Sequence, residues 1–256
     1  MDYRKKLEVL HTEWMGCRKC DLHTFRDEKK QRQVFGRGHR HGIMFLSAAP
    51  TDEDATVGDH YAGAAHEFMS ELLERLDIKS SAYFANLVLC RSCGFAYNSE
   101  GQAVMTRFGP LVRDEPPKEY QIASCSPYLG ELIYMVDPLL IVGMGIDVIK
   151  AMSGRSANLL VDSGQEREIT IDGVWQNPVV TPKKQQWGRK IKGVETFPLL
   201  TNQVRYLMLL CEDVRDVLAR SRDNSIGNRM DLFLQTIKKA ADIYHEHRKE
   251  DANVTT

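Results

Sequence analysis

A group of acidic residues lies just beyond a short apolar segment in the first quarter of the chain. Residues 43–46 (IMFL) are apolar, and residues 52–54 (DED) are all acidic. Carboxylates at such a position can act as general acids or bases, or can stabilise a positive charge. Asp52 and Asp54 are the candidates, because alternate positions in an extended loop point side chains the same way. The alternative interpretation is a solvated acidic turn.

The cysteines form the second group with chemical potential. There are six of them, namely Cys17, Cys20, Cys90, Cys93, Cys125 and Cys211. The spacing of Cys17 and Cys20 brings two thiolates onto one tight turn, which suits metal chelation. Cys90 and Cys93 would complete a zinc site of two Cys-x-x-Cys pairs, whereas Cys90 and Cys125 would complete a cluster that leaves Cys93 over. Spacing alone favours zinc, and buried thiols without a metal are the remaining alternative.

A basic segment with one aromatic residue lies late in the chain. Residues 183–192 (KKQQWGRKIK) combine five basic side chains with a tryptophan. Basic groups neutralise DNA phosphates, and an aromatic ring can stack on a base or wedge between two bases. Because the whole chain has a net charge of only -1, such a contact would be local. The candidate DNA contacts are Lys183, Lys184, Trp187, Arg189 and Lys190; a charged hairpin is the alternative.

These groups need a scaffold, and the hydrophobic pattern predicts one. The short apolar segments are 43–46, 83–89, 138–142 and 196–200. They alternate with helical patterns, and strands that are apolar along their whole length indicate a sheet covered on both faces. The expected fold is therefore α/β, a three-layer αβα sandwich with a central, mainly parallel sheet and its ligand beyond the carboxyl ends of the strands. Residues 203–220 and 228–249 have the spacing of long helices.

Length and composition indicate one domain with additions. The chain has 256 residues, of which 43% are hydrophobic and 27% are charged, enough for a substantial core. We expect a main domain over residues 1–220 with an insertion at about 93–119, and a helical extension with a tail over 221–256. The sequence has neither the roughly 18 apolar residues of a membrane span nor the apolar stretch of a signal peptide. A cytoplasmic protein, with no membrane partner and no obligate protein partner, is expected.

Five segments occur in an order typical of one enzyme family. They are CRKCDLH (17–23), VFGRGHRHGIMFLSAAP (34–50), GDHYAGAA (58–65), FANLVLCR (84–91) and CSPYLGELIYMVDPLLIVGMG (125–145). In this order they resemble the family-four-type uracil-DNA glycosylases, which carry a four-iron cluster. The similarity runs from about residue 17 to residue 145 and continues weakly to about residue 207.

The resemblance implies a cofactor. In the family, the ligands are the amino-terminal Cys-x-x-Cys, a cysteine just after a strand and a cysteine that opens the next helix. These positions match Cys17, Cys20, Cys90 and Cys125, and four thiolates are the usual requirement of a [4Fe–4S] cluster. The zinc alternative, with Cys93 as a ligand, stays open because Cys93 lies only three residues beyond Cys90.

The resemblance also implies a pocket for a base drawn out of the DNA stack. Tyr61 matches the family aromatic that stacks on the base, and Asn86 matches the asparagine that reads the base edge with its amide. A core aromatic and a residue that satisfies backbone groups are the respective alternatives. Two motifs are altered: the glutamate of Gly-Glu-Ala-Pro-Gly is an alanine in SAAPT (47–51), and the late histidine is absent. The remaining base-binding candidates lie at these motifs and are Ala49, Pro50, Thr201 and Asn202.

Together these features predict a DNA glycosylase that extrudes its target base and leaves an abasic site. Asp52 and Asp54 would replace the missing carboxylate. The loss of bulk at both altered motifs and the insertion predict a base bulkier than uracil, such as a 5-substituted pyrimidine of viral DNA, and hence DNA repair or antiviral defence. The alternative is a catalytically silent protein that binds modified DNA or abasic sites.

Overall fold

The computed structural model describes residues 3–107, 109–154, 158–171, 204–220 and 227–254. The strands in these ranges are β1 (Arg37–Gly38), β2 (Ile43–Ser47), β3 (Ala82–Asn86), β4 (Cys93–Phe95), β5 (Met105–Thr106), β6 (Gly109–Pro110), β7 (Val112–Asp114), β8 (Leu140–Met144), β9 (Glu166–Ile171) and β10 (Val204–Cys211). The helices are α1 (Tyr3–Trp14), α2 (Leu22–Glu28), α3 (Asp52–Val57), α4 (Ala64–Arg75), α5 (Glu119–Val136), α6 (Ile146–Ser153), α7 (Leu159–Asp162), α8 (Val214–Arg220) and α9 (Gly227–Val254).

The central sheet has six strands in the order β1-β3-β2-β8-β10-β9. Its four inner strands are parallel, whereas β1 and β9 pair antiparallel at the two edges. Parallel strands joined by helices place those helices on the faces of the sheet. The predicted α/β fold with a mainly parallel sheet is therefore confirmed.

The core lies on both faces of the sheet, as the alternation along β2 illustrates. Met44 and Leu46 pack into the layer formed by α1, α2, α5 and α6. Ile43 and Phe45 pack into the opposite layer, formed by α4, α8 and α9. Because successive side chains of a strand point to opposite faces, an apolar strand with both faces covered produces the three layers that the sequence predicts.

The helix predicted over residues 203–220 is wrong in its first half, because residues 204–211 form strand β10. Its sequence, VRYLMLLC, is apolar at positions that fit both a helix and a buried strand, and periodicity alone does not separate the two. Tertiary pairing decides: β10 lies parallel to β8, with Met208 beside Ile141. Residues 196–200, the strand expected in this region, lie outside the described residues.

Helix α9 packs against one face of the central sheet. Phe233, Ile237 and Tyr244 are buried in the same layer as α4 and α8. The division of the chain near residue 220 stays a prediction, although the helix expected beyond it is present. None of the described helices combines the length and the apolar composition that a bilayer span requires.

The predicted insertion has more structure than the irregular segment we expect from its sequence. Strands β4 and β7 form one antiparallel pair, and β5 and β6 form another. The insertion begins a few residues beyond the carboxyl end of β3. It therefore projects from the same edge of the sheet as the loop after β2.

Candidate functional site at the carboxyl edge of the sheet

The acidic residues after β2 form a helix, so the extended loop expected at 52–54 is wrong. Thr51 caps helix α3: its hydroxyl accepts from the Asp54 N–H, and the Asp54 carboxylate accepts from the Thr51 N–H. This reciprocal capping box satisfies two backbone donors at the start of the helix. Side chains two residues apart on a helix point in directions that differ by about 200°. Asp52 and Asp54 consequently point apart, and only one of them faces the interior.

Asp54 is the buried member of the pair, with 3% of its surface exposed. Its Oδ2 atom accepts from the Thr51 N–H at 3.0 Å, and its Oδ1 atom accepts from the Ala62 N–H at 2.7 Å. The Nη1 group of Arg215 lies 3.3 Å from Oδ2. Asp54 therefore ties the beginning of α3 to the loop before α4, as a carboxylate compensated within the protein.

Asp52 lies on the outer face of α3, where 61% of its side chain is exposed. Gln31 donates to its Oδ1 atom at 2.7 Å, and Arg91 donates to the same oxygen. Arg91 also donates to Asp114 of strand β7 at 2.5 Å. Arg91 thus joins helix α3 to the insertion and places the insertion at the rim of the candidate site.

Tyr61 is almost fully buried, at 4% exposure, and its backbone is left-handed with φ 51°. Its hydroxyl lies 2.7 Å from the Ser47 hydroxyl and 2.9 Å from the Met144 sulfur, at the ends of β2 and β8. The ring meets Phe84 edge-on at 5.4 Å. Burial raises the pKa of Tyr61, so the hydroxyl stays neutral and available for these contacts.

Asn86 and His60 form a buried polar pair beside Tyr61. The Asn86 amide nitrogen lies 3.3 Å from His60 Nδ1, and His60 Nε2 lies 3.0 Å from the Phe35 carbonyl oxygen. Burial lowers the pKa of His60 to about 4. The neutral ring then donates from Nε2 to the carbonyl and accepts from Asn86 at Nδ1. His60 therefore orients the Asn86 amide at the carboxyl end of β3.

Asp54, Asp213 and Arg215 form an acid–arginine cluster that was not predicted from the sequence. Arg215 donates from Nε and Nη2 to the two oxygens of Asp213, at 2.8 and 2.7 Å, and from Nη1 to the Ala49 carbonyl at 3.0 Å. Its guanidinium carbon lies 5.8 Å from the centre of the Tyr61 ring. A charged segment directly after an apolar strand was the available signal, and the assignment of residues 203–220 to a helix concealed it.

The altered SAAPT motif closes the site from the β2 side. Ala49 is half-buried and Pro50 is buried, and the Ala49 side chain packs against the core. Because Arg215 holds the Ala49 carbonyl, this turn is fixed to the segment that follows β10. The candidates Thr201 and Asn202 lie outside the described residues, as do Lys183, Lys184, Trp187, Arg189 and Lys190.

The thiol site is formed by Cys17, Cys20, Cys90 and Cys125. Burial raises the pKa of Cys125, and the neighbouring thiols of Cys20, Cys90 and Cys17 raise it further. Cys90 and Cys125 are buried in one cluster of the core, and Cys17 and Cys20 pack against the same cluster. Burial also raises the pKa of Cys90, to about 11, against the opposing charge of Arg26.

Hydrogen-bond donors surround these sulfur atoms. Arg26 Nη1 lies 3.8 Å from the Cys90 sulfur, and the Leu89 N–H donates to the Cys125 sulfur. Cys93 belongs to other surroundings, in which its charged neighbours are Arg91 and acidic side chains. Within the described ranges, no three Cys, His, Asp or Glu side chains already stand at metal-binding distances. The donor set itself, four clustered thiols with N–H groups directed at sulfur, fits a cluster held by cysteine.

A family model described as the uracil DNA glycosylase superfamily matches residues 35–207, more than half of the chain. The chain belongs to this superfamily. The matched range includes β2, β3, β8 and the beginning of β10, and thus most of the carboxyl edge described above. Cys17 and Cys20 precede it.

Curated relatives point the same way. The chain is 27% identical over 161 residues to a type-4 uracil-DNA glycosylase of Pyrobaculum aerophilum, covering 61% of this chain and 70% of the relative. It is 25% identical over 195 residues to that of Archaeoglobus fulgidus, covering 75% and 81%. It is 30% identical over 142 residues to that of Sulfurisphaera tokodaii, covering 54% of each. The predicted family resemblance is confirmed.

Proposed function

We propose that this protein is a DNA glycosylase that hydrolyses the N-glycosidic bond of a modified or damaged base. The observation that carries the proposal is the buried pair of Asn86 and His60 beside Tyr61, at the carboxyl edge of a superfamily sheet. The proposed role is cytoplasmic DNA repair or defence against viruses with modified DNA. The curated relatives, named as uracil-DNA glycosylases, support the reaction class.

Base recognition follows from the chemistry of these side chains. A glycosylase flips its target nucleotide out of the duplex and reads the base edge in a pocket. The Asn86 amide, held through its nitrogen by His60, still carries an oxygen and a second N–H, which suit a pyrimidine edge. Tyr61 would form the floor of the pocket, because its hydroxyl is anchored and its ring cannot rotate away without breaking two contacts.

The two proposed carboxylates have different surroundings and therefore different roles. Asp54 is engaged at both oxygens by backbone N–H groups and Arg215, which suits a fixed negative charge that stabilises an oxocarbenium-like sugar. Asp52 is exposed and held only at Oδ1 by the contacts described above, so a water molecule can reach it. We assign activation of the water to Asp52 and electrostatic support to Asp54.

The insertion supports a base bulkier than uracil. Arg91 fastens it to α3 beside Asp52, so β4 and β7 stand at the rim through which the base would enter. On the opposite side, Ala48 stands where the family motif has its larger glutamate. A pyrimidine with a bulky 5-substituent would extend towards this rim.

A substrate screen tests the reaction. The purified protein is incubated with duplexes carrying uracil, 5-hydroxymethyl or glycosylated pyrimidines, and alkali then cleaves any abasic site. We expect strand breaks that fall about 100-fold or more in Asp52→Asn, the typical contribution of a general base, and substantially in Asp54→Asn. Glu53→Gln, which lies between them on α3, is the matched control and should retain activity. Full activity in both aspartate variants would disprove the assignment.

We also propose that Cys17, Cys20, Cys90 and Cys125 hold a [4Fe–4S] cluster. When bound, the cluster would join the segment between α1 and α2 to the end of β3 and to α5, a structural role. Arg26, buried beside Cys90, would offset part of its negative charge. A brown protein with visible absorption and about four iron and four sulfide per chain is expected; a colourless, zinc-loaded protein would support the alternative with Cys93.

The DNA would be held outside the pocket by the basic segment that contains Lys183, Lys184, Trp187, Arg189 and Lys190. Removal of two of these cations should weaken duplex binding for all sequences and lower its salt dependence, because each phosphate contact releases counterions. Lys5→Gln with Lys6→Gln, on α1, is the matched control.

A binding protein without catalysis is the second candidate. One observation favours it: Asp54 is fully engaged in holding its own loop, and the SAAPT motif lacks the family glutamate. Under this hypothesis, modified or abasic DNA binds with measurable affinity while the alkali assay shows no strand breaks on any substrate.

A further inference from the structure

We propose that the opposite edge of the sheet carries a second binding site, for a phosphate-bearing ligand of nucleotide size. A cleft of about 850 Å³ lies there, within the roughly 300–1,000 Å³ typical of small-molecule sites. Its lining comes from the segments that precede β2, β3 and β8 and from the carboxyl-terminal half of α9. The cleft thus lies at the amino ends of the strands, and the candidate glycosylase site lies at their carboxyl ends.

Cationic and histidine side chains dominate the rim of the cleft. They are His39, Arg40, His41, His247 and Arg248. Asp137 is the acidic residue in the lining, and it lies 3.4 Å from His41 Nδ1. Two guanidinium groups against one carboxylate give a local excess of positive charge even with neutral histidines. In a chain of net charge -1, this concentration favours an anion.

The floor of the cleft is aromatic and is held rigidly. Tyr206 and Tyr244 are buried there, and the Ser81 hydroxyl donates to the Tyr244 hydroxyl at 2.5 Å. Arg248 lies over the Tyr244 ring at 5.9 Å, and Arg40 lies over the Tyr3 ring at 4.7 Å. Guanidinium groups stacked on rings are pre-oriented, which lowers the entropy cost of binding an anion.

The backbone fixes the basic rim as well. The His39 N–H donates to the Ala82 carbonyl and the His41 N–H donates to the Val136 carbonyl, each at 3.1 Å. At Gly42, a side chain would stand 1.9 Å from the Ser81 carbonyl oxygen. Only glycine therefore allows the rim segment to lie this close to the floor.

Phosphate is the anion that this chemistry recognises best. Guanidinium groups form charge-assisted hydrogen bonds to phosphate oxygens, and the exposed Ser80 is an additional hydroxyl residue in the lining. The volume of the cleft is larger than inorganic phosphate alone would fill. Its aromatic floor and the remaining space suit the base and sugar of a nucleotide. The source of the phosphate is either a free nucleotide or the backbone of DNA.

Titration calorimetry with the full-length protein tests the site. Deoxyadenosine monophosphate is the probe, because its purine does not suit the proposed pyrimidine pocket, and deoxyadenosine is the control without phosphate. We expect binding of the monophosphate alone, weakened at least tenfold in the double variant Arg40→Gln with Arg248→Gln. The Arg75→Gln variant changes an exposed arginine on α4 that is not part of the lining, and it should bind as the wild type does.

A 12-base-pair unmodified duplex distinguishes the two sources. If the monophosphate binds and depends on the two arginines, the ligand is a free nucleotide. If only the duplex shows that dependence, the phosphate comes from DNA. If neither probe depends on Arg40 and Arg248, or if deoxyadenosine binds as tightly as its monophosphate, the proposal is wrong. Thermal unfolding of each variant verifies that it is folded, and the outcome is independent of glycosylase activity.

Discussion

The thiol site and the acid–arginine cluster are both polar groups in the protein interior, and they differ in how their charge is balanced. Four hydrogen bonds join Asp54, Asp213 and Arg215, and the backbone N–H groups of Thr51 and Ala62 donate two more to Asp54. At the four thiols, the Arg26 guanidinium group and backbone N–H groups, those of Lys19, Leu22 and Leu89, are directed at sulfur. Burial raises the pKa of the Cys20, Cys90 and Cys125 thiols, so these three stay protonated at neutral pH without a metal.

This difference separates a self-contained cluster from a site that we propose to hold a metal cofactor. Buried charges are tolerated when partners within the fold compensate them. A group of buried thiols has weak donors and acceptors, and its natural partner is a metal that displaces the protons. Loss of a residue should therefore release a cofactor in one region and leave an unpaired charge in the other.

The largest effect is expected at the thiol site. Cys90→Ser removes one of four proposed ligands and should abolish the visible iron–sulfur absorption and most of the soluble, folded protein. Absorption spectra and iron analysis of the purified variants measure this. Cys93→Ser is the matched control, because Cys93 faces Arg91 and acidic groups instead of the other thiols. Equal loss of iron in both variants would support the alternative ligand set that includes Cys93.

The next effect is expected at the centre of the acid–arginine cluster. Arg215→Met leaves Asp54 and Asp213 buried without their cation, a change that costs about 3–5 kcal/mol in unfolding free energy. Urea unfolding measures the loss. Arg75→Met removes an exposed i,i+4 pair with Glu71 and should cost only a few tenths of a kcal/mol. If both variants unfold at the same urea concentration, the cluster contributes no more than a surface ion pair.

The two aspartates of α3 sharpen the comparison within a single helix. Asp54→Asn weakens the capping box and the contact with Arg215, and should cost about 1–3 kcal/mol in unfolding free energy. Asp52→Asn alters an exposed contact and should cost less than about 1 kcal/mol. Urea midpoints of the two variants measure the difference. Equal losses would mean that the buried Asp54 contributes no more to the unfolding free energy than the exposed Asp52.

The sequence was sufficient for the parts of the fold that depend on local pattern. Buried strands such as β2 and β8 are apolar throughout, and their alternation with helices predicts the parallel sheet. The spacing of Cys17 and Cys20 predicted a chelating pair, and the family resemblance added Cys90 and Cys125 to the same site. These inferences depend on short segments in which the residue types and their spacing are sufficient.

The parts that the sequence could not supply depend on long-range partners. Residues 204–211 have a spacing that suits either a helix or a strand, and pairing with β8 decides between them. Asp54 became a capping residue because Thr51 precedes it by three positions, a signal that the extended-loop interpretation overlooked. Arg215 contacts Ala49 and Asp54 across more than 160 residues, and no local pattern predicts such a contact.

The smallest expected effect concerns His60, the neutral buried partner of Asn86. Its pKa is about 4 in the folded protein and 6.5 in the free side chain. Between these values the unfolded chain binds a proton that the folded protein does not, so stability falls as the pH drops from about 6.5 towards 4. His60→Gln can donate to the Phe35 carbonyl and accept from Asn86 without titrating.

The wild type should therefore lose about 1 kcal/mol more than His60→Gln between pH 7 and pH 5.5, as measured by urea midpoints at both values. Burial also lowers the pKa of His11 to about 4, and that contribution is common to both proteins, so their difference isolates His60. An equal loss in both proteins would mean that His60 already binds a proton in the folded state. It could not then accept from Asn86, and the orientation that we assign to the base-reading amide would be wrong.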